Sequence, residues 1–305
     1  MIYMIDLSVA ISSLKLRNPT LLASGIIGTS PSLLLRVFKA GAGGVVTKSF
    51  TREPKEGYAT PIIISVKCGF INAVGLTNPG IKGVLEIVKP LREKKVPIVV
   101  SIAGSSVEEF VELATVAEKA GANALELNLS CPHAEKRGIE IGMDSESVSR
   151  IVEEVKSSVK IPVFVKLGLM DNIINIASVA EESGADAIVL INTIKAMYID
   201  IWVKKPVLSN KIGGLSGPSI HPIAVRVIYE VYKKVNIPII GVGGVDSWES
   251  AVEMILAGAS AVQLGSALVY KDYSIFNEIC NGIKEYMIKN GFRKIYDFVG
   301  LAHDA

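Results

Sequence analysis

The chain has 305 residues, 50% of them hydrophobic and 20% charged, with a formal net charge of +2. That length suits one α/β barrel of about 250 residues plus insertions, and the apolar share fits parallel strands buried on both faces rather than disorder. A near-neutral charge without a long Lys/Arg block lacks the electrostatic footprint of a nucleic-acid binder and favours a small-molecule substrate.

The opening stretch, MIYMIDLSVAISSLKLRN, has no basic n-region and an early Asp6, so it reads as a pair of short strands rather than a signal peptide. From there, short apolar runs alternate with longer helical patterns, as expected for repeated βα units around a parallel sheet. Eight strands are expected: Pro19–Gly25, Gly44–Ser49, Pro97–Ala103, Ala124–Ser130, Pro162–Gly168, Ala187–Thr193, Pro238–Gly244 and Ala261–Ala267. Helical patterns between them include VEEFVELATVAEKAGA, SVSRIVEEVKSSV, IINIASVAEESGA, IAVRVIYEVYKKV and SWESAVEMILAGA. Three end in AGA or SGA, at 120–122, 183–185 and 257–259, which suggests one αβ corner used repeatedly. Residues 50–80 and 194–220 interrupt the pattern as loop-rich insertions after the second and sixth strands, where a barrel carries its chemistry. The expected architecture is an α/β (β/α)8 TIM barrel with an N-terminal strand pair and βα-loop insertions, one domain over 1–305. No apolar run reaches the roughly 18 residues of a spanning helix, so a cytoplasmic protein without a membrane partner is expected.

Polar residues gather at the strand ends: Ser24, Lys48, Ser49, Ser101, Asn128, Ser130, Cys131, Lys166, Asn192, Thr193, Gly243, Gly244, Gly265 and Ser266. Period-two alternation sends Leu125, Leu127 and Leu129 towards helices and leaves Glu126 and Asn128 inside the barrel; in PVFVKLG it leaves Phe164 and Lys166 inside. One inward lysine is explained by a buried ion pair with Glu126 or another carboxylate. Two lysines, Lys48 and Lys166, at different strand ends point also to an anionic ligand or an electron-rich ring. GVGGVDSWESA and QLGSALVY fit a phosphate site after strands seven and eight, although Gly-rich turns also serve simply to join strands to helices.

Three widely spaced cysteines, Cys68, Cys131 and Cys280, argue against a disulfide framework and a four-cysteine iron–sulfur cluster. An isolated cysteine is usually inert packing, the reading given to Cys280. Cys131, directly past a strand in NLSCPH, is positioned as a proton acceptor near cationic Lys48. His133 and His221 read as ordinary loop histidines, and no metal-ligand spacing is present. The polar segment PHAEKRGIEIGMD, with Gly138 and Gly142 as hinges, is expected to act as a lid.

KS at 48–49, FINAVGLTNPG at 70–80, NLSCP at 128–132, VKLG at 165–168, NT at 192–193, GGLSGPSIHPIAVRVIYEV at 213–231, GVGGV at 241–245 and QLGSAL at 263–268 resemble the class 1 dihydroorotate dehydrogenases, most closely the B-type catalytic subunit. The resemblance runs from about Leu7 to the closing VGLAH. It implies an FMN-dependent oxidation of dihydroorotate to orotate in pyrimidine (UMP) biosynthesis, with Cys131 as general base and Lys48 beside the flavin. It assigns Ser24, Lys48, Ser49, Ser101, Asn128, Lys166, Ile191, Gly217, Gly243, Gly244, Gly265 and Ser266 to FMN. To the substrate it assigns Lys48, Asn72, Ala73, Val74, Gly75, Leu76, Asn128, Asn192 and Thr193. It further implies a homodimer core and a separate FAD and iron–sulfur subunit. Serine at 131 would instead suggest the membrane-associated class 2 enzymes.

Three positions depart from the B-type pattern: His133 replaces a frequent Asn, Ser101 stands where Asn is usual, and Gly168 follows Leu167 where Ser and Pro often continue. CPH is also similar to the dihydropyrimidine dehydrogenases, one alternative reading. Others are a tRNA dihydrouridine synthase, which should need a basic extension, and a flavin-bearing subunit without catalysis.

Overall fold

In a computed structural model, the described residues are 5–129 and 144–303. Eight parallel strands close a barrel in chain order: Thr20–Leu22, Gly44–Val46, Ile98–Ile102, Ala124–Asn128, Val163–Leu167, Ala187–Leu190, Ile239–Val242 and Ala259–Leu264. The eighth pairs with the first, Val262 opposite Thr20 and Leu264 opposite Leu22. Ile98–Ile102 and Val163–Leu167 are buried along their whole lengths. That is why these runs are nearly continuously apolar: barrel interior lies on one face and helices on the other.

The expected strands all form, but each stops short of its expected C-terminal end. The sixth ends at Leu190 rather than Thr193. Beyond the ladder, single bonds still steer the chain: Ile191 N–H donates to Val242 O at 2.8 Å and Asn192 N–H to Leu167 O at 2.9 Å. The chain leaves the sheet here and turns its polar residues into the mouth.

The helices fold as their patterns suggest. Val107–Ala120 buries Phe110, Leu113, Ala114, Ala117 and Ala120, a 3.6-residue stripe, and Ser106 caps its start by accepting from Glu109 N–H. The repeated corner is real: Gly121, Gly184 and Gly258 all have positive φ, a conformation glycine adopts at little cost. Among the described residues no helix is long and apolar enough to cross a membrane.

The N-terminal pair forms as antiparallel strands Val9–Ile11 and Leu14–Leu16, with alternate residues buried. The two insertions are not simply loops. Ile194–Ala196, Gly213–Ser216, Gly69–Asn72 and Ile63–Val66 form one four-stranded antiparallel sheet in that order, joining segments over 120 residues apart through Gly214–Asn72 and Leu215–Ile71 pairs. Ile71, Ala73 and Leu208 make its own small core. Single-segment periodicity misses this sheet because each strand finds its partner in the other insertion.

Asp186, just before the sixth strand, ties the barrel floor together. Its Oδ2 accepts from Val163 N–H and Lys156 Nζ, both at 2.7 Å, and its Oδ1 from Ser12 Oγ at 3.2 Å. Asp186→Ala leaves a backbone donor and a lysine without their acceptor, and is expected to destabilise by about 1–3 kcal/mol. Urea denaturation should show a lower midpoint with an unchanged slope.

Candidate active site

Side chains from five strand ends meet in one polar network across the barrel mouth. Ser49 Oγ lies 2.9 Å from Ser101 Oγ and 3.5 Å from Ser24 Oγ. Asn128 Nδ2 donates to Ser49 Oγ at 3.0 Å, and Asn192 Nδ2 donates to Asn128 Oδ1 at 3.3 Å. Thr47 fixes the level of this layer, its Oγ1 accepting from Ser101 N–H at 3.0 Å. Hydroxyls and amides both donate and accept, so this layer offers mixed hydrogen-bonding groups to a flat heterocycle.

Beneath it Lys166, 4% exposed, reaches across the barrel. Its Nζ lies 3.6 Å from Glu126 Oε1 and donates to Gln263 Oε1 at 3.4 Å, while Gln263 Nε2 donates to Glu126 Oε2 at 2.8 Å. The buried ion pair expected for an inward lysine therefore exists, and inward alternation holds for both strands. Gln263 belongs to the QLGSAL motif, but its sequence context alone gave it no role.

Lys48 stands at the end of the second strand, half-buried. Its backbone passes so close to Gly28 that a Cβ there would collide with Lys48 N. A cavity of about 510 Å3 beside the mouth is lined by Lys48, Thr29, Thr77, Asn78, Glu86 and neighbouring residues. Burial lowers the Lys48 pKa from its ordinary 10.5. Desolvation disfavours the ammonium, and an anion seated there would restore it.

The segment Asn72 to Leu76 runs off the insertion sheet towards this side. Asn72 Nδ2 donates to Gly214 O at 3.3 Å, and a Cβ at Gly214 would strike Thr193 Oγ1, so Asn72 and Thr193 approach one another across a glycine. Thr193 itself is exposed, and its N–H donates to Asn192 Oδ1 at 2.8 Å. Ala73 is buried, Val74 is half-buried, and Gly75 and Leu76 have positive φ. Asn78 holds this turn: its Nδ2 donates to Leu76 O at 2.7 Å and Thr51 Oγ1 at 2.9 Å, and its Oδ1 accepts from Gly80 N–H at 2.8 Å.

On the opposite side Gly217, Gly243 and Gly244 all have positive φ, at 107°, 135° and 68°. A Cβ on Gly244 would sit 2.7 Å from Gly217 O, so these two turns abut. At Gly265 a Cβ would make only ordinary van der Waals contact, with Ala23 Cβ nearest at 3.5 Å, and Ser266 opens the short helix Ala267–Tyr270. Ile191 is buried behind the mouth. His221 is no ordinary loop histidine, which corrects the expectation from sequence. It begins helix His221–Tyr232, with Nδ1 3.0 Å from Gly243 O and Nε2 3.0 Å from Glu253 Oε2, and so braces the glycine turn. Tyr270 OH donates to Asp246 Oδ2 at 3.2 Å; burial, with Asp246 beside it, pushes its phenol above the ordinary range.

Cys131, Ser130, His133 and the expected lid as far as residue 143 lie outside the described residues. Cys280 is buried with its Sγ 4.0 Å from Thr20 Oγ1, and burial raises its thiol pKa to about 11, in keeping with packing. Cys68 is exposed in the turn before Gly69. Among the described residues no cluster of three or more His, Cys, Asp or Glu is set to hold a metal.

A profile of the dihydroorotate dehydrogenase family matches residues 6–287. The chain belongs to that family. It is 47% identical over 298 residues to the catalytic subunit of dihydroorotate dehydrogenase B (NAD(+)) of Pyrococcus furiosus, covering 97% of this chain and 99% of that one. Identity to the catalytic subunit of the same type from Methanothermobacter thermautotrophicus is 46% over 307 residues, the full length of both. A chain of Aeropyrum pernix whose assigned name is of the A (fumarate) type is 45% identical over 301 residues, 98% of each.

The residues present fit a flavin of the kind this family uses. Two cations, a layer of mixed donors and acceptors and paired glycine turns offer sites for a polar ring system and an anionic tail. Sequence reasoning missed Gly28, Asn78, His221 and Gln263. Asn78, His221 and Gln263 stand inside recognised motifs, whereas Gly28 matters only through a neighbour distant in sequence.

The lowered Lys48 pKa carries a sign for folding as well as for binding. The unfolded chain holds that proton more tightly, so Lys48 costs stability below its lowered pKa, and the cost vanishes as pH rises past 10.5. Orotate binding should take up a proton in that window and weaken as pH climbs through it. Calorimetric titrations of the flavin-loaded protein between neutral and alkaline pH should show this limb, and Lys48→Met should remove it along with most of the affinity.

Proposed function

We propose that the chain is the FMN-binding catalytic subunit of a dihydroorotate dehydrogenase, one barrel domain over 1–305 that oxidises dihydroorotate to orotate in cytoplasmic UMP biosynthesis. The observation that carries this reading is the continuous Ser24, Ser49, Ser101, Asn128 and Asn192 network with Lys166 beneath it and Lys48 at its side.

FMN supplies a two-electron acceptor that takes a hydride. The rest is the work of the chain. Forming the C=C bond of orotate removes one hydride and one proton from adjacent carbons, and Cys131 receives the proton on Sγ. Lys48 offsets the substrate carboxylate. Asn72, Asn128, Asn192 and Thr193 satisfy the alternating donors and acceptors of the pyrimidine ring, and Ala73 to Leu76 form the backbone wall beside them. Gly217, Gly243, Gly244, Gly265 and Ser266 would hold the phosphate end of FMN, and the buried Ile191 would contribute to its ring site.

A separate FAD and iron–sulfur subunit on a homodimer core would supply the route by which electrons leave this chain. Two relatives are named as catalytic subunits of NAD(+) enzymes, and three cysteines here are too few for a cluster of its own. A hairpin of Ile199–Asp200 and Lys205–Pro206 exposes Ile201, Trp202 (86%) and Val203, an apolar tip suited to protein contact.

Anaerobic stopped-flow bleaching of the flavin tests the reading. Dihydroorotate should bleach it far faster than dihydrouracil. Cys131→Ser should slow bleaching by roughly 10²–10⁴-fold at unchanged FMN content, since serine is a poor proton acceptor. Cys280→Ser should behave as wild type. A colourless protein that takes up no FMN, or equal rates for wild type and Cys131→Ser, would refute the corresponding part.

A further inference from the structure

We propose that Glu126 and Gln263 are positioning residues that hold Lys166 apart from full neutralisation, and so set how much positive charge it presents to the flavin. The proposal rests on the flavin reading above and adds a layer to it. Glu126 is completely buried, two residues before Asn128 on the same inward row, and Asn128 is in register with Lys166. Ser101 is likewise in register with Glu126, so the three contacting side chains form a buried set directly adjoining the polar network of the mouth.

Their geometry is uneven. Gln263 uses both ends of its amide: Nε2 donates to Glu126 Oε2 at 2.8 Å, and Oε1 accepts from Lys166 Nζ at 3.4 Å. Glu126 Oε1 accepts no hydrogen bond among the described residues and faces Lys166 Nζ only at 3.6 Å. A collapsed ammonium–carboxylate pair closes to about 2.7–2.9 Å. Gln263 holds the carboxylate through its Oε2 and gives the ammonium a neutral acceptor in place of Glu126 Oε1. At 3.6 Å the carboxylate cancels the field of the lysine head less fully than it would in a collapsed pair.

A buried carboxylate is costly, and an apolar side chain of similar size would fill the barrel as well or better. Its presence gains a reason if it governs a charge beneath a ring that becomes electron-rich. Within a dry interior, removing one unit charge at this range changes the stability of a nearby anion strongly.

The test is the midpoint potential of the bound flavin, measured against reference dyes, together with the FMN dissociation constant. It compares wild type with Glu126→Gln, Gln263→Met, Lys166→Met and the double variant Glu126→Gln/Lys166→Met. Glu126→Gln removes the counter-charge and should raise the potential, shifting the reduction equilibrium roughly tenfold or more towards reduced flavin. Gln263→Met should lower it, because the released carboxylate closes on the ammonium. In the Lys166→Met background the carboxylate of Glu126, completely buried and left without its cation, should be neutralised by a proton, so the Glu126 replacement should add nothing.

The opposite signs of the two single variants are the part that a purely structural role does not produce. Unchanged potentials in both singles, with FMN retained, overturn the proposal. An equal Glu126→Gln shift in both backgrounds also overturns it, because Glu126 would then act on the flavin directly. Should Glu126→Gln fail to fold, the sign of the Gln263→Met shift decides. A wild type that takes up no FMN overturns the flavin reading first and this proposal with it, which separates the two failures.

Discussion

Closure of the parallel sheet is the constraint from which the rest follows. Once the eighth strand hydrogen-bonds to the first, all eight strands point the same way around a ring, and whatever follows each strand must rise at one end of it. Ser24, Ser49, Ser101, Asn128 and Asn192 come from five different strand ends, far apart in sequence, yet link into one network. No local preference brings them together. The interior is apolar along most of each strand, and polar side chains are tolerated only near the mouth or where they satisfy one another.

The same closure explains why polar groups in the interior come as a set. Glu126, Lys166 and Gln263 come from the fourth, fifth and eighth strands and meet across the barrel, where none of them has room to reach water. Lys48 is handled differently. It lies at the rim, half-buried, where burial lowers its pKa instead of a carboxylate holding its charge. One lysine is thus fixed in an internal pair, and the other lines the cavity beside the mouth. Pre-arranged charge of this kind avoids reorganisation when chemistry occurs.

Above the mouth, the insertion sheet turns two separate loops into one wall. Its strands are short and its core is Ile71, Ala73 and Leu208, too little to stand alone. It depends on the barrel to bring residues 63–72 and 194–216 side by side. The close passage of Gly214 beside Thr193, and of Gly28 beside Lys48, shows how two glycines leave room for these candidate residues where a Cβ would collide with them.

The sequence by itself determined the eight βα units, the N-terminal pair, the inward orientation of Asn128, Glu126 and Lys166, and the repeated Gly corner. These follow from side-chain periodicity and local backbone preference, which act over a few residues. It also marked most of the candidate site, because the ends of barrel strands are identifiable wherever the strands are. Only the tertiary structure decided which polar groups touch. The pairing of the two insertions, the Gln263 bridge between Glu126 and Lys166, the His221 brace on Gly243 and the contact of Gly28 with Lys48 each join residues from distant segments. Their partners are chosen by the closed curvature of the barrel, and no periodicity within one segment encodes which residue will face it from across the ring.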